Sequence, residues 1–188
     1  AWIDTEEVDR IIAQSVGANK KQKTLPKKKV PEYYKSTSKP KKQEVREEYL
    51  LVDGYNVIFA WEDLKELSRI NIDSARDALK DVLSDYQGYK GCNLLLVFDA
   101  YKVKGNAGKR ETFHNIEVVY TKQDETADAF IEKTVFGIRD RYKVTVATSD
   151  GLEQQTVMSL GALRMSAREL KEHIEMTKRA GMEAFISG

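Results

Sequence analysis

From residue 49 onward, short apolar blocks alternate with longer amphipathic stretches, and this alternation limits the possible fold more than any other feature of the chain. Residues 49–52 form an apolar run ending at Asp53-Gly54, a strand passing into a turn. Residues 57–72 are mixed, with Trp61, Leu64 and Leu67 at helical spacing. Asp73 precedes a stretch in which Ala75, Ala78, Leu79, Val82, Leu83 and Tyr86 share one face, which predicts a capped helix reaching about residue 89. Residues 93–98 make a continuous apolar strand of the kind buried on both faces. A polar loop with Gly105 and Gly108 follows, then a third strand over 116–120. Ala127, Phe130, Ile131, Val135 and Ile138 line one helical face, and residues 144–148 form a fourth strand. A short helix over 153–160, a fifth strand over 162–165 and a final helix from about residue 167 complete the pattern. Helices long enough to serve as crossovers predict a Rossmann-like α/β fold, a mainly parallel five-stranded sheet in a three-layer α/β/α arrangement.

Other classes drop out. The 188 residues contain one cysteine, Cys92, so a disulfide framework is excluded and a reducing, cytoplasmic compartment is expected. No apolar run approaches the ~20 residues that span a bilayer, so no membrane partner is expected. Asp4, Glu6, Glu7 and Asp9 stand where a secretory signal would carry basic residues. The sequence opens on Ala1 and reads as a piece of a longer chain.

The net charge of +1 conceals an asymmetry. Residues 20–43 hold ten lysines against Glu32 and carry +9, so the remainder sums to −8. Pro26, Pro31 and Pro40 fall in the same stretch, which has no hydrophobic period. Residues 19–48 therefore read as a basic disordered linker, serving either as a solvated tether or as an arm that neutralises phosphates. Ahead of it, Val8, Ile11 and Ile12 lie at helical spacing, so residues 1–18 read as the short helical tail of a preceding module.

In an open α/β sheet, ligands bind outside the carboxyl ends of the strands. Asp53, Asp99 and Asp150 terminate three of the predicted strands, and Glu125 and Asp128 open the helix that follows another. Gathered at one edge, such carboxylates raise each other's pKa unless protons or cations compensate them. An oxygen-only donor set without His or Cys selects Mg²⁺ or Mn²⁺, which would activate water toward a phosphodiester. Each aspartate singly could instead cap a helix or form a turn. Asn56 could cap the next segment or orient a water, and Ser149 could bind a phosphate or close a turn. Lys102, Lys104, Lys109 and Arg110 form a basic loop that would steer a polyanion, or simply be solvated. There is no glycine-rich dinucleotide fingerprint after the first strand. His114 and His173 have no nucleophile nearby in sequence, and Cys92 reads as a small buried hydrophobe. Asp53-Gly54-Tyr55 also lacks the second aspartate of an Asp-x-Asp phosphatase.

The motifs Leu51-Val52-Asp53-Gly54-Tyr55-Asn56, Val97-Phe98-Asp99-Ala100, Thr121-Lys122, Glu125-Thr126-Ala127-Asp128, Ala147-Thr148-Ser149-Asp150 and Gly161-Ala162-Leu163-Arg164 stand in this order. With Ser166-Ala167-Arg168-Glu169-Leu170 after them, they closely resemble the YacP-like NYN domain, which would occupy residues 49–188. The resemblance implies a PIN-like fold and a Mg²⁺- or Mn²⁺-dependent endoribonuclease hydrolysing single-stranded RNA, with mRNA on the ribosome as one expected substrate. By position it makes Asp53, Asp128 and Asp150 metal-binding and catalytic, adds Asn56 to the catalytic set, and gives Asp99 and Glu125 supporting places at the metal. It also puts Arg164 and Arg168 near the RNA backbone, where Ser149 would join them as a phosphate contact, although Arg168 could equally pair with Glu172 one turn along. Because the family is associated with ribosomes, a translational GTPase-like module is an expected upstream fusion partner. The competing expectation is a catalytically silent RNA- or ribosome-binding module of the same fold. A cluster of negative charge facing phosphate gives a pure binder nothing.

Overall fold

The computed structural model describes residue 6 and residues 8–11, 45–100 and 105–187. Most of the predicted 1–18 tail and 19–48 linker, together with Lys102 and Lys104, lies outside these described residues. The elements run β1 Glu48–Asp53, α1 Gly54–Ala60, α2 Glu62–Ile70, α3 Ile72–Lys90, β2 Asn93–Phe98, β3 Arg110–Phe113, β4 Ile116–Tyr120, α4 Ala127–Ile138, β5 Lys143–Ala147, α5 Gly151–Ser159, β6 Leu163–Met165 and α6 Ala167–Ile186.

The sheet order is β3-β4-β2-β1-β5-β6. Every pairing is parallel except β3 with β4. The sheet thus has six strands where the sequence predicts five. The additional one, Arg110–Phe113, reads as polar loop because it is a short edge strand without a buried face. His114, at φ 51°, turns it back onto β4.

Side chains alternate across the sheet and divide the core in two. Leu50, Val52, Leu94, Leu96, Phe98 and Val118 pack with residues of α1, α2, α3 and α6 on one face. Tyr49, Leu51, Leu95, Val97, Val119, Val144 and Val146 meet α4 and α5 on the other. A strand buried on both faces needs apolar residues at odd and even positions alike, which is why residues 49–52 and 94–98 are uninterrupted. Each fully buried leucine contributes ~1.5–3 kcal/mol.

The stretch 57–72 resolves into the end of α1, all of α2 and the first residue of α3, with α1 and α2 separated by Trp61, whose backbone is extended and whose Nε1 donates to the Ala167 carbonyl at 2.7 Å. That buried hydrogen bond joins the α1–α2 corner to the start of α6. Residues 8–11 form a turn of helix whose Val8, 2% exposed, is buried with the α4 and α5 side of the core. Among the described residues, no helix is long and apolar enough to cross a membrane.

Candidate metal centre

Strand β1 lies centrally, with β2 on one side and β5 on the other, so chain direction across the sheet switches there. Such a point leaves a crevice beyond the carboxyl ends of the strands. Asp53 is the last residue of β1 and is 7% exposed. Asp128 reaches the same place from the first turn of α4. That turn is set by Thr126, whose hydroxyl accepts from the Ala129 N–H at 3.2 Å, and by buried Thr121, which donates to the Glu125 carbonyl at 2.7 Å.

The third carboxylate is Glu153. One oxygen from each of Asp53, Asp128 and Glu153 falls within 4.8 Å of the others. Glu153 is 2% exposed. Its Oε2 accepts from Thr148 Oγ1 at 2.8 Å, and its Oε1 has no hydrogen-bonding partner. Burial, followed by the charge of Asp53, pushes the Glu153 carboxyl up to about 9. Burial likewise pushes Asp53 up to about 6, with the charge of Asp128 adding to the effect. Two buried acids and a third at contact distance need a proton or a cation among them. An all-oxygen donor set with an orphaned buried carboxylate oxygen fits a hard divalent ion.

The other predicted residues have separate places. Asp150 is the N-cap of α5, where its Oδ1 accepts from the Leu152 and Glu153 N–H groups at 2.9 and 3.2 Å. It lies outside the three-carboxylate group but fixes the backbone from which Glu153 projects. Asn56 Oδ1 accepts from the Ser149 N–H at 2.6 Å, while Ser149 Oγ accepts from the Ala167 N–H at 3.0 Å. These bonds tie α1, the β5–α5 loop and α6 together under the site. Asp99 joins Asp53, Tyr55, Asn56, Phe59, Thr126 and Asp128 around a cleft of about 350 Å³. The Glu125 carboxylate is engaged 3.0 Å from Lys133 Nζ.

Among the predicted RNA-contacting residues, Arg110 is ion-paired with buried Glu117, and Lys109 Nζ donates to Asn106 Oδ1 at 3.1 Å. Arg164 donates to Gln154 Oε1 at 3.4 Å, and Arg168 makes the i,i+4 pair with Glu172 at 3.2 Å. A larger cavity, about 590 Å³, lies between α3, the β3–β4 turn and α6 and is lined by Tyr86, Tyr89, His114, Asn115, Ile174 and Lys178 among others. It shares no residue with the carboxylate cleft.

Sequence reasoning missed Glu153 as a site residue. Asp150-Gly151-Leu152-Glu153 has the spacing of a capping box, which predicts a glutamate turned back to the N-cap backbone. Here it turns to Thr148 and the cluster instead.

A family model for the YacP-like NYN domain matches residues 50–186. The chain belongs to that family. It is 46% identical over 131 residues to the YacP protein of Bacillus subtilis (strain 168), covering 69% of this chain and 76% of that protein. The crystal structure of Rae1 (YacP) from Bacillus subtilis superposes with a TM-score of 0.62 at 42% identity, covering 74% of this chain and 80% of the other. A tryptophan-to-leucine mutant of Rae1 matches equally, with a TM-score of 0.62. As a PIN-like domain, the NYN family implies a nuclease, and the Asp53, Asp128 and Glu153 cluster of this member is a group that could bind a metal ion.

Proposed function

We propose that this NYN domain is a metal-dependent endoribonuclease that hydrolyses phosphodiester bonds of single-stranded RNA, with Mg²⁺ or Mn²⁺ as cofactor. The observation that carries the reading is the convergence of Asp53, Asp128 and Glu153 from three separate elements, with one buried oxygen lacking a partner. Those three residues would hold the ion, which when bound supplies a more acidic water and neutralises charge on the phosphate. Thr148 orients Glu153 through its hydroxyl, and Asp150 sets the helix turn that carries it. Asp99 lines the same cleft and adds to its acidic wall. Asn56 and Ser149 keep the β5–α5 loop registered against α1. RNA is the proposed partner, with mRNA engaged by a ribosome as its proposed setting.

The test is cleavage of single-stranded RNA with Mn²⁺ or Mg²⁺ by the parent protein, Asp53→Asn and Glu153→Gln. The reading expects cleavage by the parent that is lost in both variants and on chelation. Equal activity in parent and variants would overturn it.

A further inference from the structure

We propose that Lys133 and Asp9 are positioning residues for the metal centre: through Glu125 they hold the turn that carries Asp128, so the docked segment 8–11 sets the affinity of the site for its divalent ion. The inference rests on the metal-dependent reading above and adds a control on the same site from a segment that precedes residues 50–186, the region the family model matches.

Lys133 stands in the second turn of α4, with its Nζ 3.0 Å from Asp9 Oδ1 and 3.0 Å from Glu125 Oε2. An ammonium has three donors, so it serves both carboxylates at once. The Lys133 and Glu125 side chains are 22% and 19% exposed, and a pair this sheltered is screened less than one on the open surface. Burial opposes the charge of Lys133, but the Asp9 and Glu125 carboxylates outweigh it and raise the ammonium above the ordinary lysine range.

Glu125 is fixed from its backbone as well. Its N–H donates to the Lys122 carbonyl at 3.0 Å, and its carbonyl accepts from the Thr121 hydroxyl at 2.7 Å. Thr121 Oγ1 in turn accepts from the Ala100 N–H at 3.1 Å, just beyond β2. Thr126 then caps α4, and Asp128 follows in its first turn. The Glu125–Lys133 pair therefore closes a stretch of chain that contains Asp128, tying the approach to α4 onto the second turn of the same helix. Ligand distances at a metal are held to about 0.2 Å, so a loosened turn lowers affinity even when every carboxylate is kept.

The segment 8–11 completes this arrangement. Val8 is 2% exposed and belongs to the same apolar cluster as Phe130, Ile131 and Val135 of α4. Seating Val8 brings its neighbour Asp9 to Lys133. Positioning and simple field effects have opposite signs at Lys133. As a nearby positive charge the lysine repels a cation, so its removal alone would tighten metal binding; as the holder of the turn, its removal weakens it.

The test is isothermal titration of Mn²⁺ into the full-length parent, Lys133→Met, Lys133→Arg, Asp9→Asn and Val8→Ala, alongside RNA cleavage across a Mn²⁺ series. Positioning predicts an affinity lower by roughly 2- to 30-fold in Lys133→Met and retained in Lys133→Arg. It predicts smaller losses in Asp9→Asn and Val8→Ala, and no further loss when Asp9→Asn is added to Lys133→Met. Cleavage by Lys133→Met should need more Mn²⁺ for its half-maximal rate and reach the parent's rate at saturation, whereas a merely structural defect lowers the maximal rate. Unchanged or tighter Mn²⁺ binding in Lys133→Met, beside a parent that binds Mn²⁺ and cleaves, would overturn the positioning role and leave the nuclease reading standing. Equal losses in Lys133→Met and Lys133→Arg, or a lower maximal rate at an unchanged Mn²⁺ requirement, would do the same. A parent that binds no Mn²⁺ would remove both.

Discussion

The Thr148 hydroxyl donates a 2.8 Å hydrogen bond to Glu153 Oε2, and this bond holds a buried acid whose other oxygen, Oε1, has no partner. Thr148 is itself completely buried at the end of β5. Removing its hydroxyl frees Glu153 to rotate without touching any group that would contact an ion. Thr148→Val is expected to weaken Mn²⁺ affinity by roughly 10- to 100-fold, the usual effect of losing a hydrogen bond that orients a ligand. Isothermal titration of Mn²⁺ into parent and variant checks it, and unchanged affinity would mean that Glu153 is not held for metal binding.

The pH dependence of stability follows from the same acids. Asp53 and Glu153 have folded-state pKa values raised to about 6 and about 9, chiefly by burial. The folded protein therefore binds protons more tightly than the unfolded chain. Their contribution is fully present below the ordinary carboxylate range and is lost as pH rises through about 6 and then about 9. In EDTA, Tm should fall progressively over this window. Mn²⁺ should restore it most at the alkaline end, because the ion replaces the proton and stabilises the folded state that binds it. Glu153→Gln should flatten the alkaline slope in EDTA and abolish the rescue by Mn²⁺. Thermal melts across pH, with and without the ion, decide the matter.

Much of this site is legible in the sequence, and what is not has physical causes. The apolar blocks ending in Asp53, Asp99 and Thr148-Ser149-Asp150 locate the sheet edge because strands buried on both faces cannot carry polar residues until they emerge. Asp53 and Asp128 stand at the ends of recognisable blocks and lie together in the structure. Asp150 and Glu153 are harder, because one caps and the other opens the first turn of the same helix, three residues apart. Choosing between them depends on side-chain direction, which residue type and spacing leave open. The capping role that any strand-end aspartate can adopt is the role Asp150 adopts. Arg168 likewise takes the local pairing with Glu172. Strand β3 escapes notice because Arg110-Glu111-Thr112-Phe113 buries no full face and so lacks the alternation by which strands are recognised.

The latch between Asn56 and Ser149 supplies a third prediction. Its 2.6 Å bond joins α1 to the β5–α5 loop across 93 residues of sequence. Asn56→Ala removes the acceptor and should cost ~0.5–1.5 kcal/mol in urea unfolding. The loop carries Asp150 and leads into Glu153, so cleavage should fall by more than this loss of folded protein explains. Comparing activity per folded molecule with the change in stability separates the two effects. A variant as stable and active as the parent would show that the latch is dispensable.

Gly54 sits where α1 turns away from β1, and a Cβ there would lie 2.6 Å from Phe98 Cδ1 and 3.0 Å from the Val97 carbonyl oxygen. Phe98 is completely buried between neighbouring rings and cannot move aside without disturbing Tyr55 and Tyr120. Gly54→Ala should therefore destabilise the fold by ~1–3 kcal/mol, as overpacking of a filled core does.

The last prediction concerns the helical turn at residues 8–11. Val8 packs over Gly137, where a Cβ would come 2.7 Å from Val8 Cγ1, and Asp9 lies 3.0 Å from Lys133 Nζ, which also pairs with Glu125. Gly137 has room for no side chain while Val8 is seated, and Val8 lies outside the sheet and its connecting helices. Gly137→Ala should therefore unseat residues 8–11 and leave the sheet intact, with any gain in helix propensity for α4 offsetting part of the lost burial. Limited proteolysis should cut ahead of residue 45 faster in the variant, while the unfolding cooperativity of the remaining domain is retained. A proteolysis pattern identical to that of the parent would show that the packing of Val8 does not govern access to this segment.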